Sequence, residues 1–240
     1  MPDIITVFNY PRTEEAYYNA DGIPRFLTEL AAQGYYLAGS DQGDVGQVWR
    51  RVLFGTYSRS GLSTEAAAQI DPESLFVPAV SSVLWHDVDA FLQHRSDELS
   101  IGVYSTARTG GLSSFNCTID IAPHDGWIHV SMENLCADLS HYEPFLNILR
   151  MIYAAWHPIY GYQDDVSGGR PLISLVQARA LDIEWLYDIN LFSPELVAKL
   201  GRERVLTTPA WRVQALDDGG VLLVPALYYA GEPGRDYTFT

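Results

Sequence analysis

The residues able to do chemistry are scattered along this chain. His86-Asp87-Val88-Asp89 places an imidazole and two carboxylates within one short run, a composition that can ligate a metal. On a helix, however, residues one and three apart point partly different ways. No second His/Asp cluster in the chain has metal-ligand spacing. Asp87 and Asp89 read more simply as acids at a helix start. His124-Asp125 falls within Pro123-His124-Asp125-Gly126, a hairpin-turn composition. His129 lies between Ile128 and Val130, His141 near a helix start, and His157 just before a helix-ending proline. Each is a lone histidine with no placed partner, for which a structural role is the default. The chain has no Gly-x-Ser-x-Gly elbow, His-Glu-x-x-His, phosphate loop or Gly-x-Gly-x-x-Gly. A dispersed hydrolase site around His86, His129 or His157 stays open, because triad members need not be neighbours in sequence.

The acids suggest recognition instead. The chain carries 30 acids against 15 bases, a net charge of −15, with 15 of the acids in each half. An excess spread this evenly is not an acidic tail. It repels nucleic acid and anionic lipid and attracts basic partners, although solubility alone also accounts for it. Asp164 and Asp165 follow Tyr160 and Tyr162 in what reads as an exposed loop. Rings beside carboxylates suit an interface with a basic protein, the rings supplying area and the carboxylates meeting Arg or Lys. The plainer reading is a solvated loop whose two tyrosines anchor it to the core. Asp182, Glu184 and Asp188 are spaced along the outer edge of a predicted strand and would extend that negative surface. Asp41, Asp44, Asp217 and Asp218 are turn residues first. No catalytic residue, metal or cofactor is expected.

The elements that position these groups follow from periodicity. With 48% apolar and 12% aromatic residues the chain can fill a core. Ile4 to Phe8 predicts a first strand and Pro24 to Gln33 a helix stopped by Gly34. Tyr35 to Leu37 is extended, 39–46 is a loop, and 47–57 is ambiguous. The weakly patterned stretch 58–78, with a short helix at 64–69, marks a seam between two lobes, an N-terminal α/β lobe of 1–78 and a C-terminal α+β lobe of 79–240. Val80 to Leu84 predicts a strand and Asp87 to Arg95 a short helix. Ile101, Val103 and Ser105, then Phe115, Cys117, Ile119 and Ile121, then Trp127 to Met132 predict an antiparallel meander. Phe145, Leu149, Ile152 and Trp156 form the stripe of a long helix from Tyr142 to Trp156, with Ser140 and Glu143 fitting a capping box. Leu172 to Gln177 is a helix or a strand.

The last third is the clearest. Leu181, Ile183 and Trp185 alternate with Asp182 and Glu184 as in a half-buried strand. Ser193-Pro194 opens a short helix that Gly201 stops. Asp217-Asp218-Gly219-Gly220 turns a hairpin between Trp211-Arg212-Val213-Gln214 and Val221-Leu222-Leu223-Val224. The fold class is α+β, with antiparallel sheets packed against helices. Cys117 and Cys136 form neither a disulfide framework nor a four-ligand zinc site, and buried thiols are the default. The start of the chain lacks a signal-peptide pattern and no window reaches the length of a membrane span, so a cytoplasmic protein is expected.

The run 189–203, Ile189-Asn190-Leu191-Phe192-Ser193-Pro194-Glu195-Leu196-Val197-Ala198-Lys199-Leu200-Gly201-Arg202-Glu203, carries a resemblance. With Thr208-Pro209-Ala210-Trp211-Arg212-Val213 and Asp218-Gly219-Gly220-Val221-Leu222-Leu223, it resembles the C-terminal part of bacterial immunity proteins of polymorphic-toxin and type VI secretion systems, those of the immunity protein 52 family. The likeness covers the last sixty residues or so, fits the Tyr-rich stretch and long helix loosely, and hardly touches 1–100. It implies a non-enzymatic inhibitor that neutralises a cognate secreted antibacterial toxin, often a nuclease, by direct stoichiometric binding. It transfers no catalytic residue and does not locate the binding surface. The alternatives are the hydrolase above and an adaptor of the secretion apparatus.

Overall fold

The computed structural model describes residues 4–11, 17–39, 79–105, 115–133, 142–164 and 173–225. Within them the chain runs β1 (Ile4–Pro11), α1 (Gly22–Ala32), β2 (Tyr36–Gly39), β3 (Ala79–Val80), α2 (Ser82–Leu92), β4 (Leu99–Ser105), β5 (Phe115–Ala122) and β6 (Trp127–Glu133). It continues α3 (Tyr142–Trp156), β7 (Pro158–Asp164), α4 (Leu175–Arg179), β8 (Asn190–Phe192), α5 (Pro194–Leu200), α6 (Arg202–Leu206), β9 (Arg212–Ala215) and β10 (Val221–Val224). The strands form one 10-stranded sheet in the order β3-β2-β4-β5-β6-β1-β7-β8-β10-β9. Every pairing is antiparallel except β2 with β3. The fold is α+β.

β1 occupies the middle. Its Ile4–Asn9 run pairs with β6 and its Thr6–Pro11 run with β7. Because β6 and β7 both run antiparallel to β1, they are parallel to each other, and α3 is the crossover between them. The boundary expected at residue 78 falls outside the described residues. The described strands on either side of it, β1 and β2 before and the others after, are joined in this one sheet.

The meander reads as its alternation dictates. Ile101 and Val103, Cys117, Ile119 and Ile121, and Ile128, Val130 and Met132 all point to one face and are buried. That face carries the larger core, closed by Phe26, Leu27 and Leu30 of α1, Leu84, Val88 and Phe91 of α2 and the stripe of α3. α3 has the predicted bounds and is tied to its surroundings by polar side chains. Glu143 pairs with Arg212 of β9, Arg150 donates to Gln214 at 3.3 Å, and Asn147 bonds Gln33 beside α1. Glu143 therefore lies within the first turn; its expected capping partner Ser140 is outside the described residues.

Two local expectations fail for identifiable reasons. Of the strand expected at Val80 to Leu84 only Val80 forms, as the last residue of β3. Ser81 accepts from the Leu84 N–H at 3.1 Å and starts α2 there, because Leu84, Val88 and Phe91 recur at helical spacing and all reach the core. Gly39 lets this helix lie close, since a Cβ on it would meet the Asp87 carboxylate. At the other end, α3 stops before Pro158 through His157 in the left-handed region, φ 45°. The chain beyond it is β7 rather than an exposed loop.

The opposite face of the sheet holds a second core over its C-terminal half. Tyr160 and Tyr162 of β7, Phe192 of β8 and Val221 and Leu223 of β10 are buried there under Ile173, Ala178, Leu186, Tyr187, Leu196, Val197 and Val205. β8 and β10 thus bury both their faces, since Leu191, Leu222 and Val224 serve the first core.

Candidate protein-binding surface

The second core is built upward from a stack of rings. Tyr160 lies between Tyr162, 5.4 Å away at 19°, and Phe192, 5.7 Å away at 8°. Tyr187 leans on Tyr162 at 4.3 Å. Each phenol finds a partner, as buried hydroxyls must. Tyr160 donates to Asn190 Oδ1 at 2.9 Å, and Tyr162 accepts from the Ile173 N–H at 2.9 Å.

On this platform sit α4, the irregular stretch 181–188, α5 and α6. Five- and seven-residue helices are too short to hold themselves, and α4 and α5 are capped by side chains at their starts. Ser174 and Gln177 form a reciprocal capping box at α4. Ser193 accepts from Leu196 N–H at 3.2 Å, Pro194 opens α5, and Gly201 at φ 90° separates α5 from α6.

The stretch 181–188 makes no strand pairing and is pinned at both ends by side chains. Leu181 sits at φ 54°, an uncommon place for a branched residue. Lys199, the chain's one lysine, donates to the Leu181 carbonyl at 2.6 Å and to that of Ala180 at 3.4 Å. At the far end Asn190 is fully buried and accepts from Tyr187 N–H at 3.0 Å. Its amide donates to the Tyr187 carbonyl at 2.7 Å and to that of Leu223 at 3.4 Å. Between these pins Leu181 and Ile183 pack partly on the core, while Asp182 and Glu184 are exposed. Trp185 breaks the alternation. It is 41% exposed, while Leu186 and Tyr187 turn inward.

The sequence-derived candidates therefore separate. Tyr160 and Tyr162 are a correction: at 0% and 1% exposure they are the floor of the layer and present nothing to a partner. Their role is the anchoring one, because a strand buried on both sides puts its rings into a core. Asp165 is outside the described residues, and of Asp164 only the backbone, at the end of β7, is described. Asp182 and Glu184 do lie at the surface and Asp188 is half-buried, but on an irregular segment. The expected strand is displaced to Asn190–Phe192, which pairs with β7 and β10. Trp185 and Val176, exposed at 41% and 77%, were missed. The signal was present for Trp185: a strand alternating through Trp185 would have to expose the apolar Leu186.

The histidines do not assemble a catalytic arrangement among the described residues. His129 faces Asp120 across β5 and β6, and Ser100 Oγ donates to Asp120 Oδ1 at 2.5 Å. The three types of a triad are there, in the wrong order. The hydroxyl gives its proton to the carboxylate, and no imidazole stands between them to take it. Burial holds the His129 pKa below the ordinary histidine value, against the opposing pull of Asp120. His157 Nδ1 is 3.7 Å from Asp218, whose carboxylate already accepts from Tyr153 OH at 3.1 Å and Gly220 N–H at 2.9 Å. That cluster ties the β9–β10 turn to the end of α3. His86 stands on α2, His124 faces Asp97 on the exposed hairpin turn, and His141 is outside the described residues. Among the described residues no group of three or more His, Cys, Asp or Glu can hold a metal ion. Cys117 is a buried thiol whose pKa is pushed up by burial; Cys136 is outside the described residues. Among the described residues no helix is long and apolar enough to cross a membrane.

No protein-family model matches the chain, and no curated protein matches it. Among solved structures, the Pseudomonas aeruginosa T6SS protein PA0821 aligns with 97% of this chain and 71% of its own, at 13% identity and a TM-score of 0.41. A likeness at that level carries no argument about what this chain does.

Proposed function

We propose that this protein acts by binding, as an immunity-type inhibitor that neutralises a basic effector protein, a nuclease, by occupying its surface one to one. The observation that carries the reading is the segment 181–188, which holds an exposed indole and exposed carboxylates on a pinned backbone. The acid excess and the C-terminal resemblance support it. A nuclease must be basic where it holds phosphates, and an acidic inhibitor is steered to that ground. On this reading the protein performs no chemistry, needs no cofactor and works in the cytoplasm of the cell it protects.

The test is direct. The purified product of the adjacent open reading frame, mixed with this protein, is expected to form a one-to-one complex that lacks the product's toxicity. No complex, together with no protection of cells expressing that product, would end the proposal. The rival hydrolase reading rests on the His157–Asp218 contact. It predicts turnover by the isolated protein that His157→Ala abolishes without altering complex formation.

A further inference from the structure

We infer that the face made by Val176 and the 181–188 segment is where the basic partner sits, with an arginine of that partner lying on the Trp185 indole between Asp182 and Glu184. This rests on the binding function proposed above and assigns its contact surface.

A single exposed apolar side chain is ordinary. Trp185 differs in what surrounds it from Trp211, the other exposed tryptophan among the described residues. Trp211 is already engaged: the Arg212 guanidinium lies 4.8 Å from its ring centroid and Tyr142 meets it edge-on at 6.1 Å. Trp185 is 41% exposed and has no ring, cation or hydrogen-bond partner among the described residues. Asp182 and Glu184 make no ion pair among the described residues. From 181 to 188 the sequence carries three acids and no base. Among the described residues the cations nearest in sequence are Arg179, exposed at the end of α4, and Lys199, whose ammonium is spent on backbone carbonyls. The free face of an indole flanked by carboxylates suits a guanidinium, which stacks on the ring while donating to the acids.

The backbone is already in place for this contact. An interface pays for ordering flexible segments, and 181–188 is held at one end by Lys199 and at the other by Asn190. Its middle amides, 183–185, belong to no strand ladder, so they exchange readily until something covers them.

The experiment uses the full chain and the purified product of the adjacent open reading frame. Trp185→Ala is expected to weaken the complex by about 30-fold or more, the loss typical of a central aromatic anchor. Asp182→Asn with Glu184→Gln is expected to weaken it about tenfold at low salt and much less at high salt. Val83→Ala, on the exposed face of α2, serves as the control and leaves affinity unchanged. Amides 183–185 are expected to gain hydrogen-exchange protection in the complex. The affinity of Trp185→Ala is measured well below that variant's own denaturation midpoint, so that a loss of binding is read on folded protein and binding is separated from folding. A parent complex that tolerates Trp185→Ala without loss overturns this surface and leaves the binding function standing. Failure of the parent protein to bind overturns both. Self-association of the isolated chain that Trp185→Ala abolishes would make the occupant a second copy and overturn the assignment to a basic partner.

Discussion

The two faces of the sheet are covered in opposite ways. One lies under three helices of 11, 11 and 15 residues, whose apolar stripes do most of the holding. The other, over the C-terminal half, lies under helices of 5, 7 and 5 residues and an irregular stretch, held by caps and by single polar side chains. Of the five exposed large apolar residues among those described, Val176, Trp185 and Leu206 belong to the second cover, against Val83 on the first and Trp211, whose ring meets Tyr142 of α3. Long amphipathic helices hide their apolar residues because the stripe is also what stabilises them. Short capped elements are fixed by local hydrogen bonds, and that frees their side chains for other contacts.

Substitutions can break or sharpen this contrast. The largest effect is expected on the helical side: Phe145→Ala removes a fully buried ring from α3 and should cost about 3–5 kcal/mol, read from urea unfolding. On the other side Asn190→Ala leaves Tyr160, Tyr187 and Leu223 groups buried without their partner. It should cost about 2–4 kcal/mol and, unlike Phe145→Ala, raise hydrogen exchange first across 181–188. Ser193→Ala deletes a cap and should cost about 1 kcal/mol. Lys199→Met releases the Leu181 end of the segment for about 0.5–1 kcal/mol, but should loosen 181–185 measurably by exchange. If Asn190→Ala and Lys199→Met leave exchange in the segment unchanged, polar pinning is not what fixes the second cover.

The smallest effect is on pH. His129 has its folded pKa depressed by burial, so the unfolded chain takes up the proton first. Stability is then whole above the ordinary histidine value of 6.5 and falls as pH drops through it toward the folded pKa. Urea midpoints compared at about pH 7.5 and about pH 5.5 should show this loss, and His129→Gln should lessen it.

What could be read from the sequence divides along the same line. α3 was legible to the residue because its stripe repeats over four turns, and the meander because each strand has one wet face. β8 was not, because Ile189-Asn190-Leu191-Phe192 is buried on both sides and has no alternation to see. Its acidic neighbour 181–185 has the alternation and is not a strand, since Lys199 and the left-handed Leu181 take it away from the ladder. Tyr160 and Tyr162 read from the sequence either as interface rings or as anchors in the core, and the structure has them as anchors. A ring beside a carboxylate in sequence says nothing of which side of a strand each occupies until the register is known. The sheet order was out of reach altogether, because nothing local in Ile4–Pro11 tells that it pairs with β6 and β7.

The placing of β1 also sets a timetable. It leaves the ribosome before every other described strand, yet its neighbours are residues 128–133 and 158–164. Neither half of the sheet can be zipped to the other until α3 has been made and folded back across. Such distant pairing slows folding and leaves unsatisfied strand edges waiting in the nascent chain.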